Sequence, residues 1–145
     1  MELKSVPDFF SGEGCCAGLH STLGMEFVST PDPDSIMARM VVDERHAQHR
    51  GYMNGGASLA LAETLAGLGS ITLCPDSVCF GMNISASHVH PVAVGDTVTA
   101  VATIVHKGRH THLWQVEIRD GVLLVRGMLA EPNQLIFSGF GEEKE

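Results

Sequence analysis

Between Gly51 and Pro75 the chain reads GYMNGGASLALAETLAGLGSITLCP, with one carboxylate, Glu63, set among Ala, Leu, Gly and small hydroxyl residues. Read as a helix, the stretch starts just after Asn54, whose side chain is of the type that caps helix N-termini. Almost every side of that helix is apolar, and a helix with no water-favouring face is expected in a protein interior. Gly56, Ala60, Glu63, Gly67 and Ser70 recur at spacings of three and four, so they form one narrow stripe of small residues around one acid. A lone acid on a buried helix is unfavourable unless it is paired, hydrogen-bonded or used. The stretch is also long enough to suggest a membrane span, but Glu63 at its midpoint, with several Gly, Ser and Thr, favours a core helix.

The rest of the chain is extended. Leu23 to Ser29 reads as a strand, 30–34 (TPDPD) as a turn, and Ile36 to Val42 as a second strand with Arg39 off its apolar face. After the helix come four more extended segments. Val78 to His88 leads to a turn at 90–96. Thr97 to Val105 alternates Val98, Ala100, Ala102 and Ile104 against threonines. Lys107-Gly108 turns the chain into a strand faced by His112, Trp114, Val116 and Ile118. Asp120-Gly121 is a hairpin signal before a last strand, Val122 to Ala130. The pattern predicts an α+β fold: one long central helix wrapped by a curved antiparallel sheet of about six strands. A single domain over residues 1–145 is expected, with an N-terminal arm (1–22) and an acidic tail (139–145). One helix leaves part of such a sheet uncovered, and self-association is the natural remedy.

A formal charge of −8 argues against a nucleic-acid groove or an anionic membrane surface as the main partner. The N-terminus shows no charged-then-apolar export pattern, and Cys15, Cys16, Cys74 and Cys79 have no CxxC spacing. Reduced thiols and a cytoplasmic location are therefore expected.

Two features of the helix carry chemistry. Gly55 and Gly56 follow Asn54, and without Cβ atoms they let a carbonyl approach their N–H groups at the positive end of the helix dipole. The plainer reading is an Asn N-cap and a tight turn. Glu63 is equally open to two readings, a catalytic acid or a buried acid satisfied by Gln48, Asn54 or backbone. From Asn54 to Glu63 is nine residues, about 13 Å at ~1.5 Å per residue, so the two cannot act on one small carbonyl within one chain. If they share a site, a second copy of the helix must bring its start beside Glu63, as two antiparallel helices in a symmetric dimer would do.

The run GYMNGGASLALAETLAGLGS, preceded by VDERHAQHR and followed by ISASHVHPVAVGD, resembles the hotdog-fold thioesterases of the PaaI type. It is most similar to their small hydroxybenzoyl-CoA and dihydroxynaphthoyl-CoA thioesterase group, over about Leu23 to Ala130. The resemblance implies hydrolysis of a small, aromatic acyl-CoA without a cofactor, by homodimers pairing into homotetramers. It implies that Glu63 is nucleophile or general base, that Gly55 N–H polarises the thioester carbonyl across the dimer, and that Gln48 holds water or the leaving thiolate. Gly56, Thr64 and Gly67 match positions around the substrate, although the family often has a hydroxyl where Gly67 stands. His88 or His90 falls where the family lines its CoA tunnel, and Lys107 and Arg109 suit CoA phosphates, with plain surface solvation as the alternative. Asn54 departs from the family's usual His; an amide donates a hydrogen bond but cannot carry a proton. The departure leaves three readings open: a reduced rate, an altered substrate, or participation of a nearby imidazole, His46 or His49.

Three other readings compete. The pairs His88/His90 and His110/His112, if each shares a strand face, offer a four-ligand metal site. Hotdog acyl-thioester dehydratases share the fold with different chemistry. A non-catalytic acyl-CoA binder would suit Asn54.

Overall fold

A computed structural model of the chain describes residues 1–3, 18–119, 128–131 and 134–136. A short helix α1 (Gly18–Thr22) precedes strands β1 (Glu26–Val28) and β2 (Ser35–Val41). A 3-10 turn at Glu44–His46 leads into the long helix α2 (Gly55–Leu73). Strands β3 (Phe80–Gly81), β4 (Thr97–Lys107), β5 (Thr111–Arg119), β6 (Met128–Glu131) and β7 (Gln134–Ile136) follow. Among the described residues these seven strands make one antiparallel sheet in the order β1-β2-β4-β5-β6-β3, with β7 on β6.

The two-residue periodicity of β2, β4 and β5 decides which face meets the helix. Their registers stack Ile36, Ala102 and Val116 in one row and Ala38, Ala100 and Ile118 in the next, all buried. The central strand supplies only alanines to these rows, which leaves a shallow trough between the bulkier residues of β2 and β5. Helix α2 packs against these three strands and buries Leu61, Leu65 and Leu68 in the trough. Each such leucine contributes roughly 1.5–3 kcal/mol. Although α2 is apolar and long enough to cross a membrane by length and composition, this packing makes it the core helix.

One contact sets how closely helix and sheet approach. The indole of Trp114 lies so near Gly69 that a Cβ there would sit 2.6 Å from Cη2. Both residues are buried, and Trp114 is fully so. Beside them Ser70 Oγ accepts from Trp114 Nε1 (2.8 Å) and lies 2.9 Å from His112 Nδ1. Burial lowers the pKa of His112, as do Lys107 and His106 to a smaller degree. This polar cluster lets β5 hold a histidine and a tryptophan indole N–H inside the core.

Several boundaries differ from those read in the sequence. The first strand shortens to Glu26–Val28 because residues 18–22 coil into α1. The expected strand from Val78 to His88 is reduced to Phe80–Gly81. Among the described residues β6 pairs Phe80 and Gly81, and Val78, Phe80 and Met82 are about half exposed; the positions opposite Met82 onward lie outside the described residues. The Asp120-Gly121 turn, most of the Val122–Ala130 strand, the tail and much of the N-terminal arm lie outside the described residues.

The helix is also not buried on every side. Gly56 and Glu63 are exposed, and Ala60 and Gly67 are partly so. The small-residue stripe is the uncovered face of α2, while Ser70 leaves it and points into the core.

Candidate active site

The approach to α2 is fixed by backbone bonds. Asn54 N–H donates to the His46 carbonyl (2.7 Å), and Met53 N–H to that of Val92 (2.7 Å). Isolated bridges join Ala47 to Met53 and Tyr52 to Ala93. The Asn54 side chain then accepts from Gly56 N–H at 2.7 Å, as an N-cap does. That assignment leaves the Gly55 N–H, which makes no hydrogen bond to a described residue, as an open donor at the positive end of a 19-residue helix.

Gly55 opens into a cleft of about 470 Å³. Gln48, Tyr52, Ser58, His88, His90 and Pro91 line it. Gln48 Oε1 accepts from the Arg50 N–H, which leaves the amide NH2 as its free end. The His88 imidazole lies against Gly55, where a Cβ would come within 3.0 Å of its Cε1 and 3.1 Å of its Nε2. A Cβ at 55 would press on that exposed ring, which would have to give by a few tenths of an ångström.

Glu63 lies elsewhere. Two and a half turns along the helix, it faces a second cleft of about 400 Å³ with Leu19, Thr64, Gly67, Cys79 and Phe80, and a smaller recess beside Met82 and Ile84. The Cys79 thiol in this cleft is pushed up to about 12, first by burial and then by neighbouring Cys74. It stays protonated at neutral pH and is a poor nucleophile.

The residues singled out in the sequence thus fall into three groups. Gln48, Gly55, His88 and His90 share the first cleft, with Asn54 as its cap; Glu63, Thr64 and Gly67 share the second, with Gly56 on the same uncovered face. Lys107 and Arg109 form the third, at the β4–β5 turn. The first cleft touches Ile118 at the far end of β5, seven residues or roughly 23 Å from Thr111 at ~3.3 Å per residue, so these cations serve no group in it within one chain.

Two of the alternatives left open by the sequence fall. Only 1% of His46 is exposed, and both of its ring nitrogens are engaged. Nδ1 accepts from Asp43 N–H (2.9 Å), which makes Nε2 the donor to the Leu23 carbonyl (2.7 Å), so His46 cannot stand in for an imidazole at position 54. The paired-histidine metal site does not assemble either. His88 and His90 are not on a strand, and His112 turns into the core while His110 stays at the turn. Tyr52 and Ser58 escaped notice in the sequence; both lie next to the glycine pair, and a polar residue within a turn of a helix start is the signal that could have found them.

The family model described as the thioesterase superfamily matches residues 50–124. The chain is 36% identical to a 1,4-dihydroxy-2-naphthoyl-CoA hydrolase of Listeria monocytogenes over 104 residues, covering 71% of this chain and 83% of that one. Among solved structures it is similar to a thioesterase of Haemophilus influenzae, with a TM-score of 0.71, 32% identity, and coverage of 89% of this chain and 90% of that one. The E. coli PaaI protein shares the fold, with a TM-score of 0.69 at 22% identity over 81% of this chain and 86% of the other. The hotdog fold and PaaI-type resemblance read from the sequence are borne out.

Proposed function

Since the chain belongs to the thioesterase superfamily and is a thioester hydrolase, we propose that it cleaves the CoA thioester of a small aromatic acid into the free acid and CoA. The observation that carries this reading is the open Gly55 N–H at a helix start, facing a cleft that also holds Gln48 and His88. The thioester carbonyl sits against Gly55, whose N–H and helix dipole stabilise the oxyanion that forms there. Glu63 of a second copy lies beside this helix start, because the small stripe of Gly56, Ala60 and Gly67 is uncovered and lets two antiparallel helices meet. That Glu63 attacks the carbonyl carbon, giving an acyl–Glu63 anhydride that water then hydrolyses to free acid and Glu63, or it takes a proton from a water held by Gln48 as the water's oxygen attacks. The C–S bond then breaks with its electron pair on sulfur.

Thr64 and Gly67 flank the acyl group, and the apolar wall of Leu19 and Phe80 beside Glu63 suits a ring. A relative named for an aromatic acyl-CoA supports the same class. His90 follows the pantetheine arm, and Lys107 and Arg109 reach CoA phosphates only if another subunit brings their hairpin to the site, in keeping with dimers that pair into tetramers. The cytoplasm, where acyl-CoAs are made and used, is the proposed location. Asn54 counted towards a non-catalytic binder, but its side chain has a sufficient role as the cap on Gly56.

The test is release of free thiol from a panel of aryl- and short acyl-CoAs by the wild type and by Glu63→Ala. Turnover of aryl-CoAs that the substitution abolishes, with the oligomer intact, is the expected result. Undiminished turnover by Glu63→Ala would remove Glu63 from the mechanism.

A further inference from the structure

The contact between His88 and Gly55 has no structural purpose that the fold explains. His88 is exposed, belongs to no strand, and its ring makes no hydrogen bond to another described residue. Yet its Cε1 and Nε2 lie where a side chain at position 55 would be, so the ring borders the Cα of Gly55, one bond from the open N–H. Val89, His90, Pro91 and Val92 continue the same wall of the cleft, and Val89 is 66% exposed at its rim.

Resting on the reading above, we propose that His88 is a catalytic residue that donates a ring N–H to the thioester sulfur as it departs. The argument is one of adjacency. With the carbonyl oxygen on Gly55 N–H, the sulfur is bonded to the same carbon and so comes within reach of the groups that border Gly55; the side chain nearest to where a Cβ at 55 would stand is the His88 imidazole, which lines the same cleft. A neutral or charged imidazole carries at least one N–H, so the donor is present in either state. As the C–S bond breaks, the electron pair moves to sulfur and the N–H stabilises the thiolate; solvent protonates it after release. The Asn54 side chain keeps its NH2 but is held in place by the cap bond that its oxygen accepts from Gly56 N–H, and His46 is enclosed.

The contribution must grow with the charge that sulfur has to bear. The experiment compares one acyl group on two leaving groups, benzoyl-CoA and the benzoyl thioester of a nitrothiophenol, with wild type, His88→Ala, His88→Gln and Glu63→Gln. For His88→Ala, kcat on benzoyl-CoA is expected to fall on the order of 10²-fold, as for loss of one preorganised donor, while the aryl thioester falls several-fold less. His88→Gln, which keeps an N–H donor, recovers part of the loss on benzoyl-CoA. Equal losses on the two substrates, with Glu63→Gln inactive on both, would overturn the role of His88 and leave that of Glu63 standing. A fully active Glu63→Gln would overturn both.

Discussion

The two faces of α2 are built from similar residues and do opposite things. On the inner face, Gly69 and Ser70 meet Trp114 and His112 in a closed, hydrogen-bonded contact, and Leu61, Leu65 and Leu68 fill the trough above β4. On the outer face, Gly56, Ala60 and Gly67 leave the helix open around Glu63. Smallness inside serves close packing of helix on sheet; smallness outside leaves room for something not in the chain. Stability and chemistry are thereby separated by half a turn, and substitutions on the two faces should fail in different assays.

The largest effect is expected outside. Glu63→Gln should lower kcat by ~10²–10⁴-fold, the range for loss of a positioned acid–base group, while the melting temperature stays within a degree or two. A large fall in melting temperature would mean that Glu63 holds the fold. Inside, Gly69→Ala should destabilise by about 1–3 kcal/mol, because the added methyl meets a fully buried indole that cannot move aside. Denaturant unfolding would register this, and residual activity should track the folded fraction. A Gly69→Ala protein of wild-type stability would show that the helix can lift from β5 freely.

The smallest effect lies away from both faces. The Arg45 guanidinium, hydrogen-bonded to the Asp43 carboxylate, pushes that group down to about 2, and Arg45 also donates to the Thr22 carbonyl at the end of α1. A carboxyl depressed in the folded state stabilises above the ordinary carboxylate range, and the gain is lost as pH falls from there through about 2. The stability difference between wild type and Asp43→Asn should therefore be small at neutral pH and shrink on acidification. A difference that widens below pH 4 would reverse this assignment.

Much of this was legible in the sequence. Asn54 and the long apolar run after it located α2, and strict alternation assigned the inward residues of β4 and β5 correctly, His112 included. Ser70 was misassigned to the open stripe because spacings of three and four drift from the true helical repeat by ~20° every seven residues, about 40° from Gly56 to Ser70. The strand read after Val78 is seen at Phe80–Gly81, and the residues that its register would set opposite Met82 onward, 127 and below, lie outside the described residues. The approach of His88 to Gly55 was invisible, because it depends on where an irregular segment thirty residues away returns to the helix. Burial of His46 was equally hidden, since its partner Leu23 is 23 residues distant.

The separation of Gly55 from Glu63 along one helix has a consequence for how activity scales. If each chain carries two unlike half-sites, specific activity depends on protein concentration and declines once dilution passes the dimer's dissociation constant. Two inactive variants also become useful together. A chain lacking Glu63 and a chain with a spoiled helix start, mixed in equal amounts and allowed to exchange, form hybrids with one intact site apiece. Random pairing makes half the dimers hybrid, so the mixture should recover about a quarter of wild-type activity from parents that have almost none.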